Sequence, residues 1–271
     1  MKEKSADEGE GTVKRKRLLF SVVIILLLSL FLSGCALGHS AWWKEEVLLH
    51  DGRTIIVDRA QKLGGYRTLD APAYARIVLE EKWDFPVPGT RKVVTWRVNQ
   101  DWPPEGQSLT LITVDFLQGT PYIATWPGGT ISYNYWGRPN PPYVFFKYDG
   151  KSWLRIPLEE FPKEFTEANV VVGQPRSSRR TGTLSVAQIK EENNRGLEPY
   201  LTRIIRSGLS EREVGYPELV TDGKGRWVSI GRFDGQQSYE ACVMKCEQER
   251  FLGEFCPCKR LFNNKTKTGG N

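Results

Sequence analysis

Two Asp-Gly pairs constrain this chain more than any other local feature. Asp51-Gly52 follows Val47 and Leu49 and precedes Ile55 and Val57. Asp149-Gly150 stands between Val144-Phe145-Phe146-Lys147-Tyr148 and Trp153-Leu154-Arg155-Ile156. Asp-Gly between alternating apolar residues predicts a hairpin, because both central positions of a two-residue turn need φ > 0. A third hairpin is expected through Leu109–Val114, turning near Gln118-Gly119 and returning over Tyr122–Trp126. Strands are also expected at Ile77–Phe85 and Lys92–Val98. The fold class that follows is mainly β, an antiparallel sandwich or partly open barrel, with a small α-helical, disulfide-stapled C-terminal part. The shared Asp-Gly pattern also suggests propeller blades, but its spacing of about 98 residues fits no blade period.

With 271 residues, 39% hydrophobic and 26% charged, the chain is neither a disordered polyelectrolyte nor a multi-span membrane protein. A net charge of +6 on 38 basic and 32 acidic residues is too weak to argue for nucleic acid. Residues 173–184, which include Arg176, Arg179 and Arg180, read as an exposed loop or linker. Those arginines suit lipid phosphates or anionic envelope sugars; a solvated loop is the plainer reading. Beyond it the period becomes helical. Ser185-Val186-Ala187-Gln188 has capping-box spacing and predicts a helix over Val186–Asn194, stopped by Gly196. A second helix is expected over Pro199–Arg206, closed by Gly208. The organisation expected is therefore a leader over 1–34, a β-rich domain over 35–172, the linker, a helical part over 185–262, and a disordered tail over 263–271.

Five cysteines are present. Four of them, Cys242, Cys246, Cys256 and Cys258, lie within 17 residues. Ser238 is a candidate N-cap for a helix over Tyr239–Arg250 ending at Gly253, with Cys242 and Cys246 on one face. An even number of cysteines in an oxidising compartment argues for two disulfides. Pairing within Cys256-Pro257-Cys258 is strained, so both bonds should link helix to tail. An antiparallel return favours Cys242–Cys258 with Cys246–Cys256 over the crossed pattern. A four-thiolate zinc site is the rival, poorly matched by the single residue between Cys256 and Cys258.

The fifth cysteine closes the leader. Lys14-Arg15-Lys16-Arg17 precedes an apolar run from Leu18 to Leu32, followed by Ser33-Gly34-Cys35. These are the parts of a secretory signal, and the run is short for a transmembrane helix, which needs roughly 20 apolar residues. Leu32-Ser33-Gly34-Cys35 resembles the lipobox of bacterial lipoproteins. The resemblance implies cleavage before Cys35, a diacylglycerol thioether on its sulfur, and usually acylation of the new amine. Several acyl chains at about 0.8 kcal/mol per buried methylene make such an anchor effectively permanent. Ala36 in place of Asp after the cysteine implies outer-membrane retention facing the periplasm. The alternative is an uncleaved signal anchor, since Leu18–Trp43 carries no ionisable side chain except Cys35 and His39. Both readings export the bulk of the chain. Removing the leader lowers the net charge to +4.

The densest aromatic stretch is Tyr133-Asn134-Tyr135-Trp136-Gly137-Arg138-Pro139-Asn140-Pro141-Pro142-Tyr143, running into Val144-Phe145-Phe146-Lys147-Tyr148. Trp136, Arg138 and Tyr143 are candidate binding residues, a stacking surface for a sugar ring or a partner's side chain. The competing reading has these rings filling the core, with Asn134 and Asn140 bonding local backbone. Trp42 and Trp43 suit a membrane interface or packing on the domain. Together with Trp43-Lys44-Glu45-Glu46-Val47-Leu48-Leu49-His50-Asp51-Gly52, the aromatic stretch resembles a family of uncharacterised proteobacterial lipoproteins over roughly residues 35 to 205. The resemblance implies no activity and no functional residue.

Catalytic equipment is sparse in the sequence. His39 and His50 have no nucleophile or metal-ligand partner at a recognisable spacing, and Glu159-Glu160 and Glu191-Glu192 are adjacent pairs that diverge. No phosphate-cradling glycine loop appears, and neither cofactor nor metal is expected. The expected function is a non-catalytic, lipid-anchored envelope interaction or structural module. Its partners would be the membrane through the lipid and an envelope protein or glycan, with no nucleic acid. A glycan-binding module and a carboxylate-based glycan hydrolase are the alternatives. Acidic residues 3, 7, 8 and 10 suit a signal n-region badly, and Val13 directly precedes the basic cluster. Translation is therefore expected to start at Val13. Mass spectrometry of the precursor trapped before cleavage checks this; peptides covering residues 3–10 would refute it.

Overall fold

The structure, a computed structural model, describes residues 39–66, 76–99, 108–176 and 181–268. The leader over 1–34, Cys35, residues 177–180 of the basic loop and residues 269–271 lie outside the described residues. From Ser40 onward the chain forms one compact unit.

Eight strands follow one another as the alternation predicts: β1 (His39–Leu48), β2 (Thr54–Tyr66), β3 (Arg76–Pro86), β4 (Val93–Asn99), β5 (Thr110–Leu117), β6 (Thr120–Trp126), β7 (Val144–Tyr148) and β8 (Trp153–Ile156). The turn chemistry differs from expectation. In both Asp-Gly turns only the glycine is left-handed, Gly52 at φ 85° and Gly150 at φ 98°. The aspartates cap their own turns instead, Asp51 accepting from Arg53 N and Asp149 from Lys151 N and Ser152 N. The turn with two left-handed residues is Gln118-Gly119, φ 51° and 78°, joining the paired Leu117 and Thr120.

Two sheets form, β5-β6-β7-β8 and a five-stranded sheet ordered β4-β3-β2-β1-β9. In β4, residues alternate strictly between exposed and buried. Its inward Val94, Trp96 and Val98 join Val47, Val57, Trp83 and Phe85 against Leu111, Val114, Phe116, Ile123 and Phe146 of the other sheet. This is the sandwich core. Strands β5 and β6 are buried on both faces. Their second face, with Tyr122, Tyr143 and Phe145, is covered by Phe161, Phe165, Tyr200, Leu201 and Ile204. That third layer was not expected.

Part of the expected linker pairs with the first sheet. Its last residues form β9 (Thr183–Leu184), parallel to β1 with Lys44 opposite Thr183. After the short helix α1 (Thr130–Tyr135), the next is α2 (Val186–Asn193), which has the predicted capping box on Ser185 and Gln188. Leu184 and Ile189 pack with Trp43 and Val171. The second expected helix is shorter than predicted: α3 covers only Pro199–Thr202. Burying a large apolar side chain contributes about 1.5–3 kcal/mol, whereas a single helical turn is costly to nucleate. Tyr200, Leu201 and Ile204 therefore hold this segment by packing, and helix continues only where packing allows. A further turn, α4 (Glu211–Val214), leads into the C-terminal part.

That part has a small core of its own. The hairpin β10 (Leu219–Thr221) and β11 (Trp227–Ser229) packs with helices α5 (Tyr239–Gln248) and α6 (Cys258–Thr268) through Val228, Phe233, Cys242, Cys246, Phe251 and Cys258. Ser238 caps α5 as predicted, accepting from Ala241 N. The helix ends earlier than Gly253, through Arg250 at φ 62° and a bond from Phe251 N to Cys246 O. The cysteines form the nested disulfides Cys242–Cys258 and Cys246–Cys256. Residues 263–268, expected to be disordered, continue α6.

One polar cluster is built into the sandwich. Arg59 is fully buried with its guanidinium between the rings of Trp43 and Trp83, 4.7 and 3.9 Å from their centroids. It donates to Glu81, to Glu45 Oε1 (3.1 Å), to Val171 O (2.8 Å) and to Gly173 O. Glu45 also accepts from Trp43 Nε1 (2.7 Å) and Val171 N (2.8 Å), and Glu81 from Gln61 Nε2 (2.7 Å). Burial pushes the Glu45 carboxyl above its ordinary range, opposed by Arg59. Removing one member of a buried ion cluster leaves the others uncompensated. Arg59→Met is therefore expected to lower the unfolding free energy by about 3–5 kcal/mol, measured by urea denaturation.

Candidate functional site

The three aromatic-stretch candidates do not share a surface. Trp136 caps the C-terminus of α1 and packs on the sandwich core, edge-on to Phe146 at 6.0 Å. The Arg155 guanidinium lies 5.5 Å from its ring centroid and donates to Trp136 O. Tyr143 is 3% exposed and belongs to the opposite face of the second sheet. Its hydroxyl donates towards Tyr200 O (2.7 Å) and Arg203 O (3.0 Å) and accepts from Ile205 N. Arg138, left-handed at φ 53°, reaches Asn134 Oδ1 and Tyr216 O over the ring of Tyr133.

The asparagines bond distant backbone as well as local. Asn140 exchanges two bonds with Leu209, donating to its carbonyl and accepting from its amide. Asn134 donates to Thr130 O and Pro217 O and accepts from Leu219 N. The stretch thus fastens residues 209–219, and with them the C-terminal part, to the sandwich. A shallow hollow beside it is lined by Pro139, Asn140, Pro141 and Arg155.

The better-formed cavity lies elsewhere. A cleft of about 270 Å³ opens where the β1–β2 turn, β5, the 164–169 segment and α2 meet. At its base Asp115, buried in β5, holds His50 twice. Its Oδ2 accepts from the His50 amide and its Oδ1 lies 2.8 Å from Nδ1. A buried carboxylate accepts there from an imidazole N–H, so Nδ1 carries a proton. The imidazole tilts over Phe165, centroids 4.9 Å apart. Asn169 ties the two sheets at this point, donating to Leu48 O and Val114 O and accepting from Val114 N.

Leu49, Phe165 and Ile189 supply an apolar floor; Glu164, Glu167 and Lys190 supply charge. Glu167 pairs with Arg203 at 3.2 Å. Among the described residues, metal-type ligand atoms gather closely only at Cys246, Cys256 and Cys258, whose sulfurs are in the disulfides. The cleft is suited to binding through hydrogen bonds and charge on an apolar base.

Sequence spacing did not reveal the His50–Asp115 pair, because 65 residues separate them. The readable signal was Asp115 itself, the one charged residue in the apolar strand Thr110–Leu117. No family model matches this chain, and neither a curated protein nor a solved structure matches it.

Burial raises the Tyr143 phenol to about 12, from an ordinary value of 10.0. Its contribution to stability is therefore complete below pH 10 and is lost as pH rises towards 12. Tyr143→Phe should show a shallower loss of stability across that window. At neutral pH it should cost about 1–2 kcal/mol for the unmade hydrogen bonds. Denaturation followed at several alkaline pH values measures both.

Proposed function

We propose that this chain is exported, anchored in the cell envelope by a lipid on Cys35, and active as a non-catalytic interaction module. Its binding seat is the cleft over His50 and Asp115. The observation that carries the reading is the pair of nested disulfides, because such bonds form and persist in oxidising compartments outside the cytosol. The basic flank, apolar run and Ser33-Gly34-Cys35 supply the matching export and lipidation signals. Ala36 supports the outer membrane, facing the periplasm. Among the described residues no helix is long and apolar enough to cross a membrane. An envelope protein or glycan is the partner this reading implies.

A second reading, a carboxylate-based glycan hydrolase, is favoured by one observation: Asp115, Glu164 and Glu167 line the same cleft. Against it, Asp115 is engaged by His50 and Glu167 by Arg203. In cells given a clickable palmitate, the wild-type protein is expected to take up label and Cys35→Ser to remain unlabelled. A photo-crosslinking residue at Thr166, on the cleft, should capture an envelope partner. Label retained by Cys35→Ser would overturn the anchor. Release of glycan fragments by the wild type but not by Glu164→Gln would replace the non-catalytic reading with the hydrolase.

A further inference from the structure

Among the described residues, two charges on the cleft have no ion-pair partner. Glu164 and Lys190 both line it, from the 164–169 segment and from α2. No ion pair joins them to each other or to any other described residue, in contrast to Glu167 beside them. The same cleft is lined by Leu49, Phe165 and Ile189 and by the His50 ring, which Asp115 holds. The cleft thus offers, in one concavity, a carboxylate, an ammonium and an apolar lining.

We infer that the cleft binds a small zwitterion with an apolar body, a free amino acid or a short peptide. Its ammonium faces Glu164, its carboxylate faces Lys190 and its side chain rests on Phe165 and Ile189. This rests on the cleft being the binding seat proposed above. A purely anionic ligand would meet the Glu164 carboxylate and a purely cationic one the Lys190 ammonium, each at a repulsive cost. A ligand carrying both charges satisfies both. Size agrees: about 270 Å³ corresponds to about nine water molecules at ~30 Å³ each, below the ~300–1,000 Å³ usual for drug-sized ligands. That volume suits one or two residues.

The test uses the lipidated full-length protein in detergent and calorimetric titration with three probes: leucyl-leucine, its N-acetyl derivative and its C-terminal amide. Leucyl-leucine is expected to bind saturably, and each cap to weaken binding about three- to tenfold. Glu164→Gln should weaken leucyl-leucine by a similar factor while leaving the N-acetyl form unchanged. Lys190→Gln should do the same for the amide. Both positions are exposed, so these variants are expected to keep the wild-type melting temperature. Equal binding of capped and uncapped probes, or no saturable binding of any of them, overturns the inference. If no probe binds while the Thr166 crosslink still captures a partner, the zwitterion falls and the interaction reading stands. If leucyl-leucine binds with the expected selectivity and the crosslink captures nothing, the inference stands and the interaction reading falls.

Discussion

A guanidinium sealed from water holds the two halves of this chain together. Arg59 carries its charge into the sandwich interior, where desolvating an ion costs several kcal/mol even after relaxation. The surroundings offset that cost with two carboxylates, two backbone carbonyls and two indole faces. The partners come from β1, β3 and residues 171–173, so the cluster is complete only when the segment after the second sheet returns to the first. Replacing such a cluster by apolar residues can leave stability unchanged, whereas shifting one partner cannot. Its effect here is to specify register. With Val171 and Gly173 pinned, the chain is carried back beside β1, where Leu184 pairs with Glu45 and packs on Trp43.

The same physics governs the irregular layer over the second sheet. Among the described residues of 157–218 much of the backbone lies outside helix and strand, so its polar groups need partners outside a ladder. Arg206 takes the carbonyls of Leu158, Phe161 and Pro162. The Tyr143 hydroxyl takes those of Tyr200 and Arg203, and Asn140 pairs with Leu209. The aromatic stretch is rich in polar and ring side chains because it must fasten three segments at once. The cleft is a consequence of this layer. Phe165 is held by the apolar core beneath it, α2 is held through Ile189, and the space between them stays open above His50.

Local features were legible because their causes are local. Alternation located β1 to β8, the capping box located α2, and the antiparallel return of the chain favoured the nested pairing. The turn type was not legible: aspartate can accept from amides just beyond it, and that bond favours a turn with one left-handed residue over a turn with two. The short strand at the end of the expected linker was not legible for a related reason: two residues of edge strand leave no periodic trace. For Tyr143 the sequence left a stacking surface and core filling both open, because nothing in its neighbours shows that Tyr200 and Ile204 cover it.

By itself, the sequence determined the hairpins and the disulfide-stapled end, since each depends on residues a few positions apart or on covalent chemistry. Only the tertiary structure decided which charges would be partners. Glu45 meets Val171 across 126 residues, and His50 meets Asp115 across 65. Such pairings are chosen when two packed layers bring particular side chains into a medium without water, where an unpaired charge is too costly to keep. The cleft is settled by that same packing.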